Sequence, residues 1–221
     1  MTGFELQRTN MVESQVRPSD VTDRRIMRAM LALRREEFAA PDTRELAYME
    51  EDLRVGPQGP GRRALLAPRV LAKLIQQLEI APEDRVLEIG TATGYGAAVL
   101  ASMAKRVVAL EIDPALATAA STAIAAHGIG NVTVVTGSLR DGWKAEAPYA
   151  GILVSGMIPE AGPELLDQLR DGGRLVAVVC EGTVGRIKVW QRFGSSYAQR
   201  VVADASALPL PGFEKASGFV F

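Results

Sequence analysis

The chain has 221 residues, 48% of them apolar, and 25 Lys+Arg against 26 Asp+Glu leave a formal charge of −1. That length suits one α/β domain with an appendage, and mixed charge of this balance provides no global basic field for nucleic acid. A single cysteine excludes an internal disulfide framework, and a single histidine leaves a zinc site or a Ser-His-Asp triad short of groups.

The chain opens Met1-Thr-Gly-Phe-Glu-Leu-Gln7 without a basic-then-apolar leader pattern. No apolar run approaches the roughly 20 residues needed to span a bilayer. The expectation is a cytoplasmic protein with no membrane contact. Residues 1–20 leave three readings open: an ordered arm, a dimer contact or a loose tail. Residues 20–38 read as a helix, with Asp20 or Thr22 as cap and Ile26, Met27, Met30, Leu31 and Leu33 at helical spacing. Residues 41–63 are irregular, and Val55-Gly-Pro-Gln-Gly-Pro-Gly61 is a loop on composition. Pro68 opens a helix whose apolar stripe is Val70, Leu71, Leu74, Ile75 and Leu78, opposite Lys73, Gln76 and Gln77.

From residue 85 strands and helices alternate. Arg85–Ile89 and Arg106–Ile112 are predicted strands, with a helix over 97–104 between them. Asp113 caps the next helix, Pro114 enters its first turn and Gly128 ends it, so His127 sits at a helix C-terminus, where a partly positive imidazole suits the dipole. Strands follow at 132–136, 151–155 and 174–180, with a helix at 163–169 and a tight turn at 171–173. Cys180, ending an apolar run, is expected to be a small core residue, and core is the default for Trp143. Residues 186–193 and 197–203 form an antiparallel hairpin around Gly194-Ser-Ser196. The fold class is α/β: a mainly parallel, twisted, Rossmann-like sheet covered on both faces, with a C-terminal antiparallel hairpin. The expected division is an N-terminal helical segment and substrate-side loop over 1–80, then a cofactor-binding part over 81–221.

The site signal begins at Glu88. The first strand runs into Gly90-Thr-Ala-Thr-Gly94 and then Tyr95-Gly96, and glycine lets backbone approach a ligand without a Cβ clash. Glu111 closes the second strand 21 residues after Gly90, where a carboxylate accepts both hydroxyls of a ribose, with Ile112 beside it. A dinucleotide fingerprint requires Gly-x-Gly-x-x-Gly, and here the three positions are Gly90, Ala92 and Tyr95. An acidic-x-Gly-x-Gly-x-Gly loop, used for S-adenosylmethionine (SAM), is met by Glu88, Gly90 and Gly94, with Ala92 the one departure. The loop favours SAM over a nicotinamide cofactor; a bare turn without ligand is the third reading.

Several segments together resemble the protein-L-isoaspartate O-methyltransferases: Arg34-Arg-Glu-Glu-Phe38, Val86–Tyr95, Ala147-Pro-Tyr149, Ile152–Ser155, Gly172–Val176 and the closing Ala207-Leu-Pro-Leu210. The resemblance implies a class I methyltransferase that binds SAM and releases S-adenosylhomocysteine (SAH), with Glu88, Gly90, Thr91, Ala92, Gly94, Tyr95, Glu111, Ile112, Ser138 and Leu139 on the cofactor. Three departures stand out. The family's Gly-Gln-Thr-Ile-Ser is replaced by Arg62-Arg-Ala-Leu-Leu66, so Leu66 takes the place of the substrate-site serine and Ala64 that of the threonine. The family's Gly-Asp-Gly becomes Gly137-Ser-Leu139, so Ser138 replaces the aspartate that meets the adenine amine. The aspartate of Ala-Pro-Phe-Asp becomes Ala150.

No catalytic base is assigned. A carboxylate acceptor is already a nucleophile and needs none, whereas a hydroxyl acceptor would call on Glu50, Glu51 or Asp52. Arg62, Arg63 and Ser155 are the substrate-side candidates, since a guanidinium pairs a carboxylate in a fork; the alternative for the arginines is a solvated basic pair. The expected acceptor is a protein, peptide or small molecule bearing an anionic group. The competing reading is a non-catalytic protein of the same fold that binds SAM or a partner. No metal site and no oligomeric state are read from the sequence.

Overall fold

The N-terminal arm is a folded element. In the computed structural model, which describes residues 3–56 and 61–214, helix α1 (Gly3–Met11) runs on through a π-turn at Val12–Val16 and a 3₁₀ turn at Arg17–Ser19. Met11, Val12 and Val16 are buried in the main core, so apolar spacing anchors this arm rather than leaving a tail. Residues 57–60 of the predicted loop lie outside the described residues.

The helix expected over 20–38 is shorter. Asp20 has a positive φ of 62°, and α2 (Arg24–Ala32) starts only after Asp23, whose carboxylate accepts the Arg25 N–H at 2.9 Å. Leu33 leaves the helical region, and a separate 3₁₀ turn at Arg35–Glu37 follows. The break lets Arg35 turn inward, where it is fully buried and donates to the Ala47 carbonyl at 2.7 Å and the Leu66 carbonyl at 2.9 Å. A small antiparallel ribbon, β1 (Leu53–Arg54) with β2 (Ala64–Leu65), precedes α3 (Pro68–Leu78), which buries Val70, Leu71, Leu74, Ile75 and Leu78.

The main sheet contains β3 (Arg85–Ile89), β4 (Arg106–Glu111), β5 (Val132–Thr136), β6 (Tyr149–Ile158), β7 (Leu169–Glu181), β8 (Val184–Phe193) and β9 (Ser196–Asp204). Their spatial order is β5-β4-β3-β6-β7-β8-β9, parallel as far as β7 and antiparallel from β7 to β9. Helices α4 (Tyr95–Ala101), α5 (Pro114–Ala126) and α6 (Pro163–Leu166) link the parallel strands. Strand residues alternate between two apolar clusters: Val86, Val107 and Ala109 lie in one, Leu87, Ile89, Val108 and Leu110 in the other. Burial on both faces makes these strands continuous apolar runs. The chain proceeds from β3 to β4 on one side and returns to β6 on the other, so the carboxyl end of β3 marks a topological switch point, where such sheets hold ligands.

Some boundaries move. Helix α4 begins at Tyr95, earlier than 97, and α6 stops at Leu166 because Leu169 already pairs with Tyr149. The predicted turn at 171–173 is an irregularity within β7, with Gly172 at φ 73°. Cys180 corrects the expectation of a core residue: it is exposed at the end of β7, its thiol 3.4 Å from the Gly182 carbonyl in the turn to β8. Among the described residues no helix is long and apolar enough to cross a membrane, and no cluster of His, Cys, Asp or Glu is placed to hold a metal.

Candidate functional site

The site is the turn after β3 and the ends of the strands beside it. Gly90 and Thr91 N–H both donate to the Leu110 carbonyl, at 2.8 and 3.1 Å, which ties the turn to the end of β4. Gly94 N–H closes the turn on the Thr91 carbonyl at 2.9 Å. Gly90 and Gly94 have φ of 78° and 92°, a region open to glycine at little cost. Ala92 shares that region at φ 53°, so the position where the motif has glycine keeps glycine's conformation despite its methyl group.

Glu88 is buried at the end of β3. Its carboxylate accepts the Thr91 hydroxyl and the Ser155 hydroxyl, each at 2.6 Å. Burial pushes the Glu88 carboxyl above the usual range, opposed by those two hydrogen bonds. The carboxylate leans on Gly96 so closely that a Cβ there would stand 2.0 Å from Oε1. Glu88 and Ser155 therefore brace β3, β6 and α4 together from inside. Ser155, expected on the substrate side, has its hydroxyl committed to Glu88.

Tyr95 is fully buried and packs edge-on against Phe38, with the Arg35 guanidinium 4.7 Å from its ring centroid. Its hydroxyl has no hydrogen-bond partner among the described residues, and burial pushes its pKa up to about 12. Gly137 N–H donates to the Glu111 carbonyl at 3.0 Å, which sets Ser138 and Leu139 just beyond the β4 end. Ser138 is exposed, whereas Leu139 is fully buried in the second apolar cluster. Trp143 is half-buried against that cluster. Ile112 is partly exposed beside Glu111, and its N–H donates to Glu111 Oε1 at 2.9 Å.

Glu111 is fully buried, and Arg63 holds it. The guanidinium makes a two-pronged pair, Nη2 to Oε2 at 2.9 Å and Nε to Oε1 at 3.2 Å, while Ala92 N–H donates to Oε2 at 2.7 Å. Arg63, expected to face an anionic acceptor or solvent, is thus inside the crevice; Arg62 is exposed at its edge. Over Gly90, where a ligand would approach bare backbone, a Cβ would meet Arg63 Nη2 at 2.8 Å and Leu210 Cδ2 at 2.9 Å. Leu210 is brought there because Ala207–Leu210 docks on the end of β6: Met157 N–H donates to the Leu208 carbonyl and Leu210 N–H to the Met157 carbonyl, both at 2.9 Å. Asp52 secures the same segment, accepting Ala67 N–H and Leu208 N–H at 2.9 Å each. Its carboxyl is also pushed up by burial.

What remains open beside Glu88, Gly90, Thr91, Tyr95 and Leu66 is about 10 Å³, at the limit of one water. A roomier cleft of about 520 Å³ beyond α6, lined by Arg140, Glu160 and Phe213, contains none of these residues. The donor set, a glycine turn beside a strand-end carboxylate, suits a nucleoside in chemistry. In space the crevice is filled by this chain's own Arg63 and Leu210. Sequence reasoning gave no role to Gly96 and did not foresee the reach of Leu210, and it offered Asp52 as an acid for a hydroxyl acceptor, whereas Asp52 anchors the closing segment. The third loop glycine was a signal for Gly96; the other two contacts depend on the path of the chain.

A profile of the family described as protein-L-isoaspartate(D-aspartate) O-methyltransferase matches residues 6–214. The chain belongs to that family. A protein-L-isoaspartate O-methyltransferase of Koribacter versatilis is 32% identical over 212 residues, covering 96% of this chain and 94% of that one. The Methanoculleus marisnigri relative is 39% identical, covering 82% of this chain and 83% of its own. Among solved structures, a protein-L-isoaspartate O-methyltransferase aligns with TM-score 0.81 at 23% identity, over 93% of this chain and 67% of that chain. A Plasmodium falciparum protein described as a member of the same enzyme class, in complex with SAH, aligns with TM-score 0.79 at 16% identity, over 96% of this chain and all of its own. At these identities the structural matches establish the Rossmann-like methyltransferase fold.

Proposed function

We propose that this family member is a SAM-dependent methyltransferase whose acceptor is a carboxylate or other anionic group on a protein or peptide. The observation that carries the reading is the junction of the Gly90 turn with Glu111 at the switch point of the sheet, in a chain of this family. When bound, SAM supplies an electrophilic methyl group. A carboxylate acceptor brings its own nucleophilic oxygen and needs no base, which suits a crevice whose inner acid, Glu88, is engaged by Thr91 and Ser155.

Acceptor recognition differs from the family pattern. Leu66 and Ala64 are buried, so the loop offers no hydroxyl where the family carries serine and threonine. Arg62 remains the exposed cation beside the loop. The expected outcome of a methylation assay with labelled SAM is weak or absent turnover of isoaspartyl peptide, with label entering another protein or peptide acceptor in a lysate. SAH is expected to bind in calorimetry, and Glu111→Gln is expected to weaken it at least about tenfold, the scale of a lost charge-assisted hydrogen bond. Unchanged SAH affinity on adding Glu111→Gln to a protein whose Arg63 is already replaced (Arg63→Gln), so that the Arg63 pair is absent from both, would remove Glu111 from the site. The filled crevice and Leu66 favour a second reading, a member that binds without catalysis; SAH binding with no label in any acceptor would select it.

A further inference from the structure

Both oxygens of Glu111 are fully engaged. Oε2 accepts from Arg63 Nη2 and Ala92 N–H; Oε1 accepts from Arg63 Nε and the N–H groups of Ile112 and Asp113. The backbone donors, Ala92 in the turn and Ile112 and Asp113 just after β4, belong to the frame of the site, so they stay whatever else binds. The guanidinium is the removable partner, and it presents the same kind of paired donors as a ribose diol in the place where the diol would sit. The Arg63 side chain is 4% exposed and that of Glu111 0%, so the contact is inside the protein and not a surface pair. Arg63 reaches in from the residue before β2, anchored by Val55 N–H on its carbonyl at 3.1 Å. Its Nη2 lies over Gly90, covering the backbone a ligand would approach.

We propose that Arg63 is an internal competitor of the cofactor: it occupies the ribose-binding carboxylate in the free protein and must leave Glu111 before a nucleoside can enter. This rests on the cofactor reading above. An ionic, two-pronged contact in a water-poor crevice is a strong competitor, so Arg63 sets cofactor affinity and the rate of entry.

The test compares SAH binding to wild-type protein, Arg63→Gln and Arg63→Ala by calorimetry, with circular dichroism confirming the fold of each. Glutamine retains an amide donor toward Glu111 without the charge and guards against loss of folding in the alanine variant. The expected result is SAH affinity at least about tenfold tighter in Arg63→Gln. A kinetic measurement runs beside it: stopped-flow binding rates should level off at high SAH in the wild type, because opening limits entry, and should rise linearly in Arg63→Gln. Equal or weaker affinity in the folded variants, or linear rates in the wild type, overturns the competition while leaving the cofactor reading intact. Absence of SAH binding in all three proteins overturns both.

Discussion

Gly96→Ala isolates the contact that braces the base of the site. Gly96 lies in the first turn of α4, so its backbone would accept alanine, and helix propensity alone favours the change by about 1 kcal/mol. The new Cβ would stand 2.0 Å from Glu88 Oε1 and 3.0 Å from its Cδ. Relief requires the carboxylate to move by about 1 Å, since real contacts stay beyond 3.0 Å. The space beside Glu88 is a void of only about 10 Å³, and the shift strains or breaks its 2.6 Å bonds to Ser155 and Thr91. A hydrogen bond to a charged group contributes about 1.5–3 kcal/mol. Loss of one to two of them, less the propensity gain, gives a net cost of about 0.5–5 kcal/mol. For a chain of this size that is a fall in Tm of roughly 1–20 °C. The assay is urea and thermal denaturation of a double-mutant cycle with Glu88→Ala. Without the carboxylate the methyl has nothing to strike, and Gly96→Ala should become neutral or slightly stabilising in that background. An equal cost in both backgrounds would refute the contact.

Glu88 also predicts a pH dependence. Its folded pKa is raised above the ordinary value of 4.5, chiefly by burial, so the folded chain holds this proton more tightly than the unfolded chain. The associated stability is complete below about pH 4.5 and is lost as pH rises through the folded pKa. Glu88→Gln lacks this titration, so the Tm of wild type relative to Gln should rise on acidification from pH 7.5 to 5; a constant difference would count against it. Asp52→Ala removes the acceptor of two backbone N–H groups and should cost about 2–4 kcal/mol. It should also speed proteolytic cleavage within residues 205–214, and identical digestion rates would show that Asp52 does not secure that segment.

Local periodicity carried most of the architecture. The strand at 85–89, the Asp113 cap with Pro114, and the stripe on α3 needed only neighbours within one or two turns, and those interactions repeat in any context. Where a long-range partner intervened, the reading failed. The helix expected through residue 38 stops because Arg35 is drawn to carbonyls 12 and 31 residues away. Cys180 reads as core from its apolar run, but is exposed at the end of β7, next to the turn into β8.

By itself the sequence determined the parallel sheet, the glycine turn and the acid at the adjoining strand end, because each is written in spacing along a short stretch. Only the tertiary structure decided what occupies that junction. Arg63 meets Glu111 across 48 residues, and Leu210 arrives from the far end of the chain. Charge and apolar bulk in a sequence state what a side chain can pair with; the path of the backbone selects which partner it reaches.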